Sequence, residues 1–267
     1  RITQFPDGKR HLATGVVEEV LGQIGDPGVD VLAVMRQYDL PHEFPEEVKQ
    51  EVARMRLEVE PEDIKGRLDL RNLPTVTIDG ADAKDLDDAI SVVKLANGNY
   101  QLGVHIADVG HYVRPGTEVD REAMRRGTSV YLLDRVLPML PFDLSNGVCS
   151  LTPGVDRLTL SVLMEIDASG NLVQHEIAES VINSHERLTY DLVNELLEGD
   201  DVELRARYQG QLEQLQWMRE LHGVLAEKRT ARGAIDFEVQ EAQIVLDAEG
   251  RVKDVVARTR TLADSII

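Results

Sequence analysis

The chain has 267 residues, of which 42% are hydrophobic and 29% are charged, so it can bury a sizeable core and is not intrinsically disordered. Its 48 Asp and Glu residues exceed its 29 Lys and Arg residues, and the formal net charge of −19 argues against a protein held to nucleic acid by overall charge alone. The single cysteine, Cys149, excludes an internal disulfide and any site built from several cysteines, and it fits a reducing compartment.

The sequence contains no segment that indicates a membrane or secreted protein. No apolar run approaches the length of a membrane span, and the first residues lack the layout of a signal peptide. We therefore predict a cytoplasmic, globular and monomeric protein. The chain opens without an initiator Met, and its last residues, 262–267, have the pattern of a helix that has just begun, so we expect a fragment of a longer protein.

Residues 1–66 predict short elements separated by turns. A strand-like run rich in Val occupies 15–22 between turn residues. Residues 26–66 are charged and interrupted by proline, and we interpret them as a connector with two helices. The first helix is capped by Asp30 and ends before Pro41, and the second covers 45–55.

The main domain is predicted to begin near Arg67 and to contain both strands and helices. Its strands, most of which form hairpins, are predicted over 75–78, 89–93, 100–107, 158–166, 172–182, 236–246 and 251–258. Its helices are predicted over 119–126, 190–198 and 204–230. Because the strands pair with chain neighbours rather than alternate with helices, we predict an α+β fold with a mixed, mostly antiparallel sheet and flanking helices.

Five aspartates crowd into the ten residues from Asp79 to Asp88. Two unit charges about 4 Å apart repel by roughly 4 kcal/mol at an effective dielectric constant near 20, so converging carboxylates either carry this repulsion or raise their pKa values. A divalent cation removes the repulsion, and hard oxygen ligands suit Mg²⁺ or Mn²⁺. Because Asp79 ends a predicted strand and 85–88 precedes the next one, the two groups can face each other.

Two interpretations of this aspartate cluster remain open from the residues alone. The cluster can be a solvated acidic turn, since ion-pair networks also concentrate charge. It can instead be a two-metal site for phosphodiester hydrolysis, which is favoured because aspartate is a poor strand residue and yet directly adjoins β-branched strand sequence here. A calcium-binding loop is excluded, because no Glu stands at the twelfth position from Asp79 or Asp82.

Several blocks of sequence carry a family resemblance. They are Thr77-Ile-Asp-Gly-Ala-Asp-Ala-Lys-Asp-Leu-Asp-Asp-Ala-Ile90, Gly103-Val-His-Ile-Ala-Asp-Val109, Arg126-Gly-Thr-Ser-Val-Tyr131, Leu137-Pro-Met-Leu-Pro141 and Leu144-Ser-Asn-Gly-Val-Cys-Ser-Leu151. In this order they resemble the catalytic domain of the ribonuclease II/ribonuclease R (RNB) family, and its ribonuclease R members more than its ribonuclease II members. The resemblance implies the end of an OB-type cold-shock domain over 1–25, a helical connector over 26–66, and the N-terminal part of the RNB catalytic domain over 67–267.

The resemblance implies a hydrolytic, processive 3′→5′ exoribonuclease that degrades single-stranded RNA to nucleoside 5′-monophosphates with Mg²⁺, or with Mn²⁺ in its place. The catalytic and metal-binding aspartates that it implies are Asp79, Asp85, Asp87 and Asp88. In the family pattern, Asp79 and Asp88 hold the first Mg²⁺ and Asp85 helps to hold metal and water. Asp87 is the aspartate whose loss most damages the chemical step, and Asp82 lies outside this catalytic set.

Three aromatic residues match RNA-contacting positions of the family. Tyr131 and Phe237 resemble the pair that clamps the last base, and Tyr190 resembles a tyrosine near the scissile end. Stacking on a ring contributes about 1–3 kcal/mol per base and tolerates any base sequence. An aromatic residue beside a strand can equally belong to the core, so each assignment depends on the resemblance.

Other polar residues support weaker hypotheses. His105, Asp108 and His111 are spaced three residues apart but would not share one face of a strand. We therefore interpret Asp108 as structural and the histidines as packing or surface residues. Basic residues that can contact phosphates, or equally lie on ordinary helix surfaces, are Arg121, Arg125, Arg126 and the run 228–232.

Two alternative functions remain open. One is a non-catalytic RNA-binding or regulatory module of the same fold, against which the complete set of four aspartates argues. The other is a metal-dependent phosphoesterase that acts on small molecules and needs no base clamp. The resemblance also implies that further RNA-contacting residues follow residue 267, so we expect this chain alone to bind RNA weakly or to be inactive.

Overall fold

The computed structural model describes residues 1–6, 12–235, 241–258 and 260–266. Its residues form two compact units, each with its own internal packing. The smaller unit consists of Arg1–Glu43, Val130–Leu137 and Ala242–Val256. The larger unit consists of Phe44–Ser129, Pro138–Glu241 and Ala257–Ile267.

The described strands and helices follow one another along the chain with short connections. The strands are β1 (Ile2–Gln4), β2 (Thr14–Gly15), β3 (Leu68–Asp69), β4 (Val76–Asp79), β5 (Asp88–Lys94), β6 (Tyr100–Ala107), β7 (Val130–Tyr131), β8 (Val136–Leu137), β9 (Asp156–Ile166), β10 (Leu172–Asn183), β11 (Glu186–Thr189), β12 (Glu241–Leu246) and β13 (Val252–Arg258). The helices are α1 (Val29–Gln37), α2 (Glu46–Val52), α3 (Pro61–Ile64), α4 (Val109–Tyr112), α5 (Glu118–Arg126), α6 (Tyr190–Glu198), α7 (Val202–Arg207), α8 (Gln209–Ala231) and α9 (Ala263–Ile266). A π-helical turn covers Asp143–Val148.

The larger unit is built on a seven-stranded sheet with the strand order β11-β4-β5-β6-β9-β10-β3. The pairs inside this order are antiparallel, whereas β11 and β3 at its two edges run parallel to β4 and β10. The hairpin between β5 and β6 turns at Asn97-Gly98, where Gly98 has a φ of 85° that suits glycine in a tight turn. The predicted α+β fold with a mixed sheet is confirmed.

Side chains of the large sheet alternate between two hydrophobic cores on its opposite faces. Ile90 and Val92 of β5 pack in one core with buried residues of α6 and α8. Ala89, which precedes Ile90 and therefore lies on the opposite face of the strand, packs in the other core with buried residues of α2, α5 and the π-helical turn. This alternation follows from the two-residue period of a strand, and it makes the sheet the middle layer between two helical layers.

The smaller unit packs α1 against strand β8. Val31 and Met35 of α1 are buried together with Leu137, and the helix predicted to end before Pro41 is present as α1. The start of α1 differs from the prediction, because Gly28, with a φ of 81°, occupies the N-cap position and no side chain caps the helix. Asp30 lies instead in the first turn, where its charge favours the helix dipole.

Two further predictions of secondary structure are wrong in part. The strand predicted over 15–22 is reduced to β2, because backbone pairing continues only to Val16, which is bonded to Arg1, and Val17 and Val20 are exposed. The helix predicted over 204–230 is divided into α7 and α8 at Tyr208, whose φ of −102° and ψ of 24° are not helical. Residues 236–240 of a predicted hairpin lie outside the described residues.

In the described ranges, every helix is too short or too polar to cross a membrane.

A chain of buried polar side chains crosses the sheet on the face of Ala89. His105 in β6 is fully buried, with Nε2 3.1 Å from Ser91 Oγ and Nδ1 2.7 Å from Ser161 Oγ. Ser161 Oγ is in turn 2.6 Å from Ser180 Oγ of β10. Burial lowers the pKa of His105 to about 4, which confirms its interpretation as a packing residue.

We predict that acidification destabilises the larger unit through His105. The unfolded chain binds a proton at His105 near pH 6.5, whereas the folded chain binds it only near pH 4. Neutral His105 therefore contributes stability above pH 6.5, and this contribution is lost as the pH falls towards 4. The free energy of unfolding decreases by about 3 kcal/mol over this range. Urea unfolding of the wild type and His105→Gln at about pH 7 and about pH 4.5 measures this loss. We expect the variant to lose about 2 kcal/mol less than the wild type, and an equal loss in both would contradict the prediction.

Candidate active site

The aspartate cluster lies at one edge of the large sheet, where two antiparallel strands meet. Strand β4 ends at Asp79 and β5 begins at Asp88. Because Val76 of β4 lies opposite Ile90 of β5, the end of the first strand and the start of the second lie at the same side of the sheet. The sheet therefore brings the two ends of the cluster together, as the sequence predicts.

The first half of the loop between these strands is held by an arginine of β11. Arg187 donates from Nη2 to the carbonyl oxygen of Ala81 at 2.8 Å and to that of Ala83 at 2.7 Å. The same nitrogen lies 3.4 Å from the carbonyl oxygen of Gly80. The loop that leaves Asp79 is thus fixed to the neighbouring strand.

The second half of the loop is held by Ser150, which follows the π-helical turn. Ser150 is fully buried, donates from Oγ to the carbonyl oxygen of Lys84 at 2.8 Å and accepts from the backbone N–H of Leu86 at 3.2 Å. The backbone N–H of Ala107 donates to the carbonyl oxygen of Asp87 at 2.9 Å. These contacts fix the backbone that carries the aspartates immediately before β5.

The carboxylates of the cluster are close enough to influence one another electrostatically. Desolvation, with added repulsion from Asp85 and Asp79, raises the pKa of Asp87, although the residue as a whole is exposed. Desolvation and repulsion from Asp87 and Asp79 likewise raise the pKa of Asp88. Asp82 is exposed and contributes to neither shift. The four aspartates implied by the family resemblance therefore form one electrostatic group, with Asp82 at its margin.

The donor chemistry of this group fits a hard divalent cation. Carboxylate oxygens are the ligands that Mg²⁺ and Mn²⁺ prefer, and a cation would relieve the repulsion that raises the pKa values of Asp87 and Asp88. In the part of the chain that the structure describes, no three Asp, Glu, His or Cys side chains already form a group that could hold a metal ion.

Tyr190 lies beside the aspartates. It follows Thr189, the register partner of Asp79 in the parallel pair β11–β4, and it is half-buried at the start of α6. Desolvation and the negative charges of Asp79, Asp264 and Asp88 raise its pKa. The structure therefore brings Tyr190 and the predicted catalytic aspartates together.

The other two predicted aromatic contacts lie outside the described part of the larger unit. Tyr131 is 66% exposed in the short strand β7 and belongs to the smaller unit. Phe237 lies outside the described residues. The assignments of Tyr131 and Phe237 to RNA binding stay predictions.

Several polar residues singled out in the sequence have structural contacts. Asp108 accepts a hydrogen bond at 2.6 Å from Arg67 and caps α4, which confirms its structural interpretation. Arg126, whose side chain is only 2% exposed, is ion-paired with Glu122 at 2.9 Å and lies 3.7 Å from the ring centre of Phe44. For Arg126 the structure favours packing over phosphate contact.

Sequence reasoning missed Arg187 and Ser150 as supports of the site. Ser150 lies in the block 144–151 that carries the family resemblance, so its position in that block is a usable signal. Arg187 is an isolated arginine in a short strand, and no local pattern distinguishes it from a surface residue. Its role depends on a contact with residues more than 100 positions earlier in the chain.

We predict that Asp88→Asn stabilises the metal-free chain at neutral pH. A raised pKa means that the ionised form of Asp88 destabilises the fold. This destabilisation is absent when the pH is below the ordinary pKa of 3.8, and it is complete when the pH is above the raised pKa. Removing the charge should increase the free energy of unfolding by roughly 1 kcal/mol in the presence of a chelator, as measured by urea unfolding. Asp82→Asn, in the same loop but exposed, is the matched control, and an equal gain in the control would contradict the prediction.

Comparison with known proteins connects this geometry to a family. The RNB domain model matches residues 67–267, and a cold shock domain model matches residues 1–45. Ribonuclease R 1 of Lactococcus lactis is 47% identical over 267 residues, covering 100% of this chain and 33% of the relative. Ribonuclease R of Thermotoga maritima is 49% identical over 269 residues, covering 100% of this chain and 38% of the relative. The chain thus spans about a third of the length of these relatives.

Solved structures of Mycoplasma genitalium RNase R have the same fold. Its complex with ribose-methylated single-stranded RNA has a TM-score of 0.85 at 31% identity, and the match covers 96% of this chain and 39% of that one. Its complex with double-stranded RNA has a TM-score of 0.88 at 30% identity, covering 100% of this chain and 46% of that one. The aspartate-bearing sheet therefore lies in a domain whose sequence and fold agree with the same group of enzymes, and the chain belongs to the RNB family.

Proposed function

We propose that this chain carries the catalytic aspartates of a hydrolytic, processive 3′→5′ exoribonuclease that degrades single-stranded RNA to nucleoside 5′-monophosphates. The observation that carries the proposal is the electrostatic group of Asp79, Asp85, Asp87 and Asp88 at one sheet edge, with Tyr190 beside it. The proposal is supported by the RNB domain match and by the ribonuclease R names of the relatives.

The cofactor in this proposal is Mg²⁺, with Mn²⁺ as a substitute. Asp79 and Asp88 would hold a first ion from the two strands, and Asp85 and Asp87 would contribute from the loop. Bound in a pair, such ions activate water and stabilise the attacking and leaving oxygens of a phosphodiester. The exposure of Asp87 leaves its carboxylate open to a water molecule and to a substrate phosphate, which suits a group that acts during the chemical step.

The negative charge of the chain makes cations necessary for contact with RNA. With a net charge of −19 and clustered carboxylates, the protein repels a polyanion at the proposed site. Cations held by the aspartates would reverse the local charge, whereas the nearby Arg258, whose guanidinium carbon lies 5.8 Å from the ring centre of Tyr190, is ion-paired with Asp264 at 2.6 Å. The half-buried ring of Tyr190 offers a surface for a base or ribose, which supports RNA as the substrate over a small phosphate ester.

A labelled oligoribonucleotide, given to the complete natural protein because this chain spans about a third of the length of its relatives, distinguishes this function from the alternatives. Products that shorten stepwise from the 3′ end in the presence of Mg²⁺ would support the exoribonuclease. RNA binding without cleavage would favour the non-catalytic RNA-binding module of the same fold. Neither binding nor cleavage, with hydrolysis of a small phosphodiester, would favour the small-molecule phosphoesterase.

We predict that Asp87→Asn abolishes cleavage and leaves RNA affinity largely intact. The substitution removes a charge from the chemical step but leaves the ring of Tyr190 and the other carboxylates in place. Because transition-state stabilisation by such a site amounts to several kcal/mol, the cleavage rate should fall by at least about 10²-fold. Gel-based cleavage and fluorescence anisotropy measure the two quantities, with Asp82→Asn as the control. Turnover by Asp87→Asn at the wild-type rate would refute its assigned role.

We predict that Tyr190→Ala weakens RNA binding and that Tyr190→Phe largely preserves it. Loss of one stacking ring costs about 1–3 kcal/mol, or roughly five- to 150-fold in Kd, whereas phenylalanine retains the stacking surface. Anisotropy with a labelled oligoribonucleotide in a Ca²⁺ buffer measures the Kd of each variant. Equal weakening in both variants would show that the hydroxyl group, rather than the ring, makes the contact.

A further inference from the structure

Arg187 occupies a distinctive place beside the aspartate cluster. It lies in β11, where its register partner in β4 is Thr77, two residues before Asp79. Its side chain reaches past the end of β4 to the loop Gly80–Ala83. This loop determines where the chain goes between Asp79 and Asp85.

The loop Gly80–Ala83 has little other support. Ala83 packs against a core, whereas Ala81 and Asp82 are exposed and leave the rest of the loop without core packing. Within it, the backbone N–H of Ala83 donates to the carbonyl oxygen of Gly80 at 3.1 Å. Arg187 Nη2 is close to the carbonyl oxygens of Gly80, Ala81 and Ala83, at 3.4, 2.8 and 2.7 Å respectively. A single nitrogen of Arg187 thus contacts three carbonyl oxygens of the loop.

The chemistry of these contacts leaves the aspartates available to a cation. An arginine next to carboxylates would ordinarily form a bidentate ion pair and neutralise one of them. The Nη2 group of Arg187 instead donates to neutral backbone carbonyls. It fixes the backbone that carries the carboxylates without taking the place of a metal ion at their oxygens.

We propose that Arg187 is a positioning residue that sets the separation between Asp79 and the aspartates at 85–88 and thereby sets the affinity of the cluster for divalent cations. This inference depends on the proposed function, because it assigns a cation to the same aspartates. Residues that orient metal ligands without touching the metal change its affinity by about 10- to 100-fold when they are replaced. Arg187 would act in this way through the backbone rather than through a ligand side chain.

Calorimetric titration of the chain with Mn²⁺ tests the proposal without any need for turnover. Arg187→Gln removes the charge and shortens the side chain, and we expect a Kd for Mn²⁺ raised by at least about tenfold. Arg187→Lys keeps a donor and a charge with a shorter reach, and we expect an intermediate Kd. Circular dichroism and unfolding without metal establish whether each variant is folded. If Arg187→Gln does not fold, Arg187→Lys provides the test.

Arg205 provides a matched control in the same unit. It donates from Nη1 to the carbonyl oxygen of Leu196 at 2.8 Å, near the end of α6 opposite to Tyr190, so Arg205→Gln removes a similar arginine–backbone contact away from the aspartates. We expect wild-type Mn²⁺ affinity in this control. The proposal is overturned if Arg187→Gln binds Mn²⁺ as tightly as the wild type, or if Arg205→Gln weakens binding equally.

Asp88→Asn separates this inference from the proposed function. If the wild type binds Mn²⁺, Asp88→Asn loses binding and Arg187→Gln does not, the positioning role is wrong and the metal site is supported. If the wild type itself binds no Mn²⁺, the metal site fails and the positioning role fails with it. If Asp88→Asn and Arg187→Gln both weaken Mn²⁺ binding and Arg205→Gln does not, the metal site and the positioning role of Arg187 are both supported.

Discussion

Asp87 and Asp88 are adjacent carboxylates that have lost part of their hydration and lie near Asp79, and the pKa of each is raised for these reasons. A protein keeps such a group together only if the surrounding structure holds the backbone against the repulsion. The flanking residues fix the backbone by packing in the core, since Leu86 is 2% exposed and Ala89 is fully buried. The chain alternates here between firmly packed apolar residues and carboxylates facing the sheet edge. Packing energy from the core thus maintains an electrostatic arrangement that is unfavourable by itself.

The supports of the cluster come from distant parts of the chain. Ser150 is 66 residues from Lys84, and Arg187 is 107 residues from Gly80. Neither contact can form until the π-helical turn has packed beneath β5 and β11 has paired with β4. The geometry of the proposed site is therefore a product of the whole larger unit, and the short loop that carries the aspartates has little conformational preference of its own. This dependence explains how an exposed loop can hold the four aspartates close enough for their charges to interact.

The parts of the fold that the sequence predicts well are those with local causes. The Asn97-Gly98 turn, the β-branched strand before Asp79 and the helix over 190–198 each depend on neighbouring residues, and each is present in the structure. The edge strands β3 and β11 have 2 and 4 residues, too few to show a period, and their parallel pairing is set by tertiary contacts. The clustering of the aspartates was predictable because composition and strand position suffice to bring them together. The anchoring by Arg187 was not, because it depends on which strand becomes the neighbour of β4.

The distribution of positive charge bears on the function proposed for the aspartate cluster. Arg126 and Arg67, with side chains 2% and 7% exposed, are committed to ion pairs inside the larger unit, so these two arginines stabilise the fold rather than attract a polyanion. In a chain with a net charge of −19, cations bound by the aspartates would then supply positive charge at the proposed site. The same carboxylates that repel RNA in the absence of metal would, with cations bound, attract the phosphate of a phosphodiester. Binding of substrate and readiness for hydrolysis would then depend on a single event, the neutralisation of the cluster.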